Sequence, residues 1–175
     1  MASKTHGFAL IDLIFVCAII AIVASIGLPR LLLARQVASS ASAIGSMRAI
    51  NSAQLTYAIS CGSGFYAPNL RTLGTPPPAG GQAFIGPDLG ASNEPVKSGY
   101  SVQLAATAYA GAPASCNGLS TGQTGQGFKA AADPVEPSNS RFFGTNANGV
   151  IYEDTTSLFP TMPEIGASSS GRPIH

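Results

Sequence analysis

The chain has few of the residues from which enzyme active sites are usually built. It contains 175 residues, of which only 10% are charged, with no tryptophan, two histidines and three cysteines. The two histidines are His6 and His175, and so sparse a supply argues against a histidine-based triad or a zinc site. No glycine-rich phosphate loop follows a predicted strand. We therefore expect a protein that is not an enzyme and has no cofactor.

Positive charge is also scarce. Nine Lys and Arg residues are nearly balanced by eight Asp and Glu residues, which leaves a net charge of +1. A nucleic-acid-binding surface needs a basic stripe that neutralises phosphates, and the sequence has none, so nucleic acid is not expected as a partner. The length allows one modest domain beside a membrane anchor. The 20 glycines and 13 prolines predict many loops without making the chain disordered.

One long apolar segment lies near the start of the chain. From Phe8 to Pro29, Asp12 is the one charged residue and Ser25 the one other strongly polar residue. A helix of about 20 residues crosses the hydrocarbon core of a membrane. An aspartate at the centre of such a helix costs roughly 2.5–3.5 kcal/mol, and less toward one end. A plain anchor would do better with leucine, so Asp12 predicts a cationic partner.

A free α-amino group is one candidate for that cation. If the chain were cut between Gly7 and Phe8, the new amine of Phe8 would lie one helical turn from Asp12. In a stack of such helices, the amine of one subunit would neutralise Asp12 of a neighbour. At ~4 Å and an effective dielectric near 20, that attraction is about 4 kcal/mol. It would offset the cost of burial only when neighbours assemble.

The stretch GFALID at residues 7–12, followed by the apolar run, resembles the class III signal of type IV pilins and type II secretion pseudopilins. The resemblance is specific over about residues 4–36 and general beyond them. It implies that a prepilin peptidase removes the leader, residues 1–7, and that Phe8 becomes the N-methylated first residue. The fifth mature residue of the family is usually Glu, and Asp12 keeps its charge with one methylene less.

The resemblance also implies a location and partners. The helix would lie in the bacterial inner membrane before assembly, with the rest of the chain on the far side. An inner-membrane assembly platform and its ATPase would then lift subunits into a helical homo-oligomer. The product would be a filament on the cell surface, or a periplasmic pseudopilus if the chain is a major pseudopilin. Pro29 falls where pilins often carry a helix-kinking proline, and with Gly27 it predicts a kink.

Two other interpretations of the apolar segment remain open. An ordinary secretory signal cleaved near Ser25 would release a soluble binding protein or enzyme. A simple single-span anchor is the other alternative. Both leave the charge of Asp12 unexplained.

The helix is predicted to continue beyond the membrane, to about Ser60. Six apolar residues recur on one face at 3.6 residues per turn, and they are Leu33, Val37, Ile44, Met47, Leu55 and Ile59. We therefore expect one helix of roughly 80 Å at 1.5 Å per residue. Residues 8–30 would form its transmembrane and filament-core half. Residues 31–60 would form an amphipathic half whose apolar stripe packs against a globular head, residues 61–175.

The head is predicted to be a small antiparallel sheet, which makes the fold class α+β. Glycines after Cys61 and the prolines at 76–78 break the helical pattern. A short helical turn is expected at residues 69–73. Three or four strands are expected after it from alternating or apolar runs, at residues 100–104, 128–132, 141–144 and 150–152. Asn148-Gly149 predicts a hairpin turn, because both residues accept positive φ. The chain from Phe159 onward is expected to be irregular.

The three cysteines are divided between the helix and the head. Cys17 lies in the apolar run and is expected to be a reduced packing residue. A disulfide between Cys61 and Cys116 would indicate an oxidising compartment and would stabilise the head by about 4 kcal/mol on the chain-entropy model. Two unpaired thiols are the alternative.

Two acidic pairs lie in the head, Asp133 with Glu136 and Glu153 with Asp154. Solvated loop charges are the expectation for both pairs. Major pseudopilins often bind calcium through loop carboxylates of the head, so the resemblance makes a calcium site that includes Asp133 or Asp154 the alternative.

Overall fold

The computed structural model describes residues 10–137 and 139–174. A long helix is followed by two short helices and six strands. Their bounds are α1 Leu10–Ser60, α2 Leu70–Leu73, α3 Pro87–Gly90, β1 Val96–Lys97, β2 Tyr100–Ala105, β3 Lys129–Pro134, β4 Phe142–Asn146, β5 Ile151–Asp154 and β6 Arg172–Ile174. The chain divides into two compact units, Met1–Ala38 and Ser39–His175, called unit 1 and unit 2 below.

The described residues of unit 1 belong to the first part of α1. Large aliphatic side chains cover it on all sides and are exposed, among them Leu10, Ile14 and Ile20. By length and composition, α1 is the one helix of the described residues that is long and apolar enough to cross a membrane. The predicted start of the helix at Phe8 lies outside the described residues.

Unit 2 contains an antiparallel sheet in which all six strands follow one another in chain order. The register places Ala132 of β3 between Val102 of β2 and Phe143 of β4. These three side chains are fully buried and belong to one core with Met47 and Tyr57 of α1. The second part of α1 therefore packs on one face of the sheet, and the predicted α+β class is confirmed.

The face of α1 that enters this core is not the predicted one. Met47 is buried as expected, but Leu55 is 56% exposed and Ile59 is 77% exposed, and Leu33 and Val37 of unit 1 are exposed as well. The buried face instead carries small and polar residues among its apolar ones, in the series Ser40, Ala43, Met47, Ile50, Gln54 and Tyr57. The prediction was wrong because it used hydrophobicity alone to identify the buried face. Ser and Gln can also be buried when the fold supplies hydrogen-bond partners for their side chains.

The strand predictions are confirmed for β2, β3, β4 and β5, and α2 forms at the predicted helical turn. Both edge strands were missed, because β1 has only two residues and β6 lies in the segment predicted to be irregular. Pro173 in β6 has no N–H to donate, which fits an edge position. Short edges of this kind limit pairing with other sheets.

The hairpin between β4 and β5 forms where it was predicted, with a different turn. Gly149 has a φ of 76°, whereas Asn148 is not in the left-handed region. The turn is held from the helix: Asn51 Nδ2 donates to Thr145 Oγ1 at 3.0 Å and to Gly149 O at 3.2 Å. A residue of α1 therefore helps to hold the hairpin turn that the local sequence predicted.

Candidate functional site

Asp12 lies in the first turn of α1 and its side chain is exposed. The ion pairs found among residues 10–137 and 139–174 all lie in unit 2, and none of them involves Asp12. Within the part of the chain that the structure describes, this carboxylate therefore lacks the cation that the sequence predicts.

The other residues of the predicted assembly site are only partly described. Gly7 and Phe8, at the predicted cleavage and N-methylation site, lie outside the described residues. Gly27 and Pro29 lie within α1, which stays helical on both sides of them. A Cβ added at Gly27 would meet no atom within 4 Å, so close packing inside the chain does not require glycine there. The kink at these two residues stays a prediction.

Cys61 and Cys116 form the disulfide that the sequence predicted, with their Cα atoms 4.8 Å apart. The bond starts directly after α1 ends at Ser60. A backbone hydrogen bond also joins the two residues: the N–H of Cys116 donates to the carbonyl of Cys61 at 3.2 Å. Cys17 is a free cysteine on the exposed surface of α1.

Asn117, next to the disulfide, is a buried residue whose role the sequence did not reveal. Its Nδ2 donates to Thr72 O at 2.8 Å, and its Oδ1 accepts from Ser115 Oγ at 2.7 Å and from the Tyr57 hydroxyl at 3.4 Å. It thus joins α1, α2 and the loop of Cys116. Burial raises the pKa of Tyr57, opposed by a hydrogen bond with Ser115.

The two calcium candidates lie on different strands, Asp133 on β3 and Asp154 on β5, with β4 between them. Asp133 Oδ2 accepts from Ser157 Oγ at 2.6 Å, while its Oδ1 is buried without a hydrogen-bond partner. Burial raises the pKa of Asp133, opposed by the bond from Ser157. Asp154 Oδ1 accepts from the backbone N–H of Thr155 at 2.7 Å.

A metal centre would need more ligands than these two carboxylates. Among the residues that the structure describes, His, Cys, Asp and Glu side chains do not form a group of three that would hold a metal ion. Asp133 and Asp154 each have a hydrogen-bonding neighbour in the fold. The expectation of solvated loop charges was wrong for Asp133, which lies on β3 with one carboxylate oxygen buried, and for Glu153, which lies on β5 and pairs with Arg141.

Glu153 on β5 forms an ion pair with Arg141 at 2.6 Å and lies 3.9 Å from Arg172. The hydrogen bond from Arg141 lowers the pKa of Glu153 and is the largest influence on it. These three side chains line an open cavity of about 370 Å³. A second cavity, of about 300 Å³, lies beside α1 and is lined by Leu55, Tyr66 and Phe128 among others.

Comparison with known proteins adds no relative. No family model matches the chain, no curated protein matches it, and no solved structure matches it. What the chain itself defines is a class: an α+β protein whose long apolar N-terminal helix packs, in its second part, on a small antiparallel sheet. This arrangement is consistent with a pilin-like fold. The feature that still needs a function is the exposed apolar surface around Asp12.

Proposed function

We propose that the chain is a structural, non-enzymatic subunit of a type IV pilus-like filament. The observation that carries the proposal is the exposed apolar surface of unit 1 around Asp12, a carboxylate that has no ion pair among the described residues. Apolar surface of this extent is unfavourable in water, and large exposed patches mark contacts with membranes or other proteins. A membrane before assembly and other copies of the chain after assembly would cover the same surface in turn.

In this proposal, prepilin peptidase cuts between Gly7 and Phe8, and the Phe8 amine becomes N-methylated. Unit 1 holds the subunit in the inner membrane until an assembly platform and its ATPase lift it into the filament. Asp12 then pairs with the Phe8 amine of a neighbour. Burial of apolar area supplies most of the cohesion, and the charge pair sets the register, as a buried polar pair does in some assemblies.

The disulfide supports the exported side of the proposal. Cys61 and Cys116 are bonded, and disulfides persist in oxidising compartments outside the cytoplasm. A major pseudopilin of a type II secretion system is the alternative within the same class, and it would build a short periplasmic filament. A secreted binding protein or enzyme, released by cleavage near Ser25, is the alternative from another class.

Intact-mass spectrometry of the purified protein tests the proposal directly. We expect a chain that starts at N-methylated Phe8 and contains one disulfide. A chain that starts near Ser25 would overturn the proposal and support secretion. Electron microscopy of fibres sheared from the cell surface then separates the two filament types, because a pseudopilus would stay within the periplasm.

The role of Asp12 is tested with two substitutions. Asp12→Ala removes the charge, and we expect membrane insertion to persist while fibres are lost or misaligned. Asp12→Glu keeps the charge with a longer reach, and we expect fibres to form. Normal fibres from Asp12→Ala would contradict the proposed pairing, whereas loss of membrane insertion in both variants would point to an anchoring defect instead.

A further inference from the structure

The charged residues of α1 follow a regular spacing. The helix carries four of them, Asp12, Arg30, Arg35 and Arg48. Arg30 follows Asp12 by 18 residues, and Arg48 follows Arg30 by the same number. Eighteen residues complete five turns at 3.6 residues per turn. Asp12 and Arg30, both in unit 1, therefore lie on one face of the helix, whereas Arg35 points about 140° away from Arg30.

The same face between the two charges is apolar and uncovered. Phe15, Ile19 and Val23 follow Asp12 at helical spacing, and all three are exposed in the single chain. Arg30 is exposed as well. The face thus has an acid at one end, a base at the other and hydrocarbon between them.

The two charges cannot meet within one chain. Eighteen residues of helix span about 27 Å at 1.5 Å per residue, which is far beyond the reach of an Asp and an Arg side chain. Copies side by side at the same depth in a membrane cannot join them either, since the same axial distance separates the two residues. The charges come level only between parallel copies that are displaced along the helix by five turns.

We propose that Asp12 of one copy pairs with Arg30 of a second copy displaced by five helical turns. This inference rests on the proposed filament and adds a second contact to it. The Phe8 amine, one turn from Asp12, pairs copies with a small axial offset, and Arg30 pairs copies with the larger one. A carboxylate has two oxygens and accepts from both cations, and the guanidinium fork of Arg matches carboxylate geometry.

The pairing separates the assembled state from the membrane state. Before assembly, the copies share one depth and Asp12 has no Arg30 at its level. After assembly, the axial offset between copies brings Arg30 of one copy to the Asp12 carboxylate of another. The charge pair therefore favours the filament over unassembled subunits in the membrane. Without Arg30, Asp12 would keep the Phe8 amine but lose the second cation of its buried cluster, and removal of a partner from a buried charge cluster is unfavourable. We therefore expect Arg30 to be needed for fibres and not for insertion.

Arg35 provides a matched control, because it lies on the same helix and carries the same charge on a different face. We expect Arg30→Gln to reduce the yield of sheared fibres by about 100-fold or more, Arg30→Lys to restore part of the yield, and Arg35→Gln to leave it within about threefold. Subunit levels in the membrane should match wild type in all three variants. Equal yields from Arg30→Gln and Arg35→Gln would overturn the inference.

A density map of wild-type fibres supplies the geometric readout. We expect the Asp12 carboxylate within about 4 Å of an Arg30 guanidinium from another copy. Arg30 facing solvent, or Asp12 level with Arg48 instead, would overturn the pairing while leaving the filament and the Phe8 contact intact. A wild-type chain that forms no fibres and starts near Ser25 would overturn the proposed function first, and the pairing with it.

Discussion

Gln54 of α1 bonds to both backbone groups of Ala67. Its Nε2 donates to Ala67 O at 2.8 Å, and its Oε1 accepts from Ala67 N at 2.9 Å. Both residues are fully buried. Ala67 lies in the connection that leaves the helix, where the backbone has no strand partner at this point. One side-chain amide therefore satisfies a donor and an acceptor that would otherwise be buried without partners, and it ties the connection back to α1.

Replacement of Gln54 by Leu should destabilise unit 2 strongly. The substitution keeps the size of the side chain but leaves Ala67 N and O buried without hydrogen bonds, at about 1–3 kcal/mol for each group. We expect a loss of about 3 kcal/mol in the free energy of unfolding, measured by urea titration of the detergent-solubilised chain. Thr56→Ala is the control, since Thr56 is exposed and donates within α1. If Gln54→Leu and Thr56→Ala lowered the free energy of unfolding by similar amounts, the two hydrogen bonds between Gln54 and Ala67 would contribute little to stability.

Loss of the disulfide should destabilise unit 2 and leave unit 1 unchanged. Cys61 and Cys116 are 55 residues apart, and a cross-link over a loop of this length is worth about 4 kcal/mol on the chain-entropy model. We expect a double Cys61→Ser, Cys116→Ser variant to unfold at a much lower urea concentration than wild type. Cys17→Ser should unfold like wild type, because Cys17 is free. An unchanged midpoint for the double variant would contradict this.

Asp133 should make unit 2 less stable as the pH rises through the acid range. Burial raises the pKa of its carboxyl above the ordinary value of 3.8, so folding favours the protonated form. The free energy of unfolding therefore falls as the pH rises from 3.8 through the raised pKa, and stays lowered above it. We expect Asp133→Asn to raise Tm near neutral pH and to match wild type in strong acid, where the Asp133 carboxyl is protonated and uncharged like the amide of Asn.

Glu136→Gln is the control for Asp133→Asn, because Glu136 is an exposed carboxylate just after β3, the strand that carries Asp133. We expect its Tm to stay close to that of wild type at every pH. If Asp133→Asn lowered Tm near neutral pH, the charged form of Asp133 would have to be favoured in the fold, against the burial of its Oδ1.

Glu153 should have the opposite dependence on pH. The hydrogen bond from Arg141 lowers the pKa of Glu153 below its ordinary value of 4.5. Its contribution is therefore present above 4.5 and is lost as the pH falls through the lowered pKa. We expect Glu153→Gln to destabilise unit 2 near neutral pH by about 1 kcal/mol and to have less effect in strong acid. A deficit that persists unchanged in strong acid would show that packing, and not charge, is what Glu153 contributes.

Local sequence determined the elements that depend on neighbouring residues. The apolar run and the apolar residues that recur at helical spacing after it indicated α1 up to Ser60, and the alternation at residues 100–104 indicated β2. Asn69 was placed at the start of a helical turn, and its Oδ1 accepts from Thr72 N as an N-cap does. The two cysteines outside the apolar run were predicted to bond, and they do. Asp12 was also recognisable from the local sequence, because its charge interrupts an apolar run.

The tertiary structure decided which side of α1 is buried. Leu55 and Ile59 gave the stronger apolar signal, yet Gln54 and Ala43 face the core, because the fold provides Gln54 with two backbone partners and accommodates a small residue close to the sheet. The edge strands β1 and β6 likewise exist only through their neighbours, as two or three residues have too little pattern of their own. Sequence periodicity reports hydrophobicity along one helix, whereas burial depends on hydrogen bonds and packing that residues distant in the chain supply.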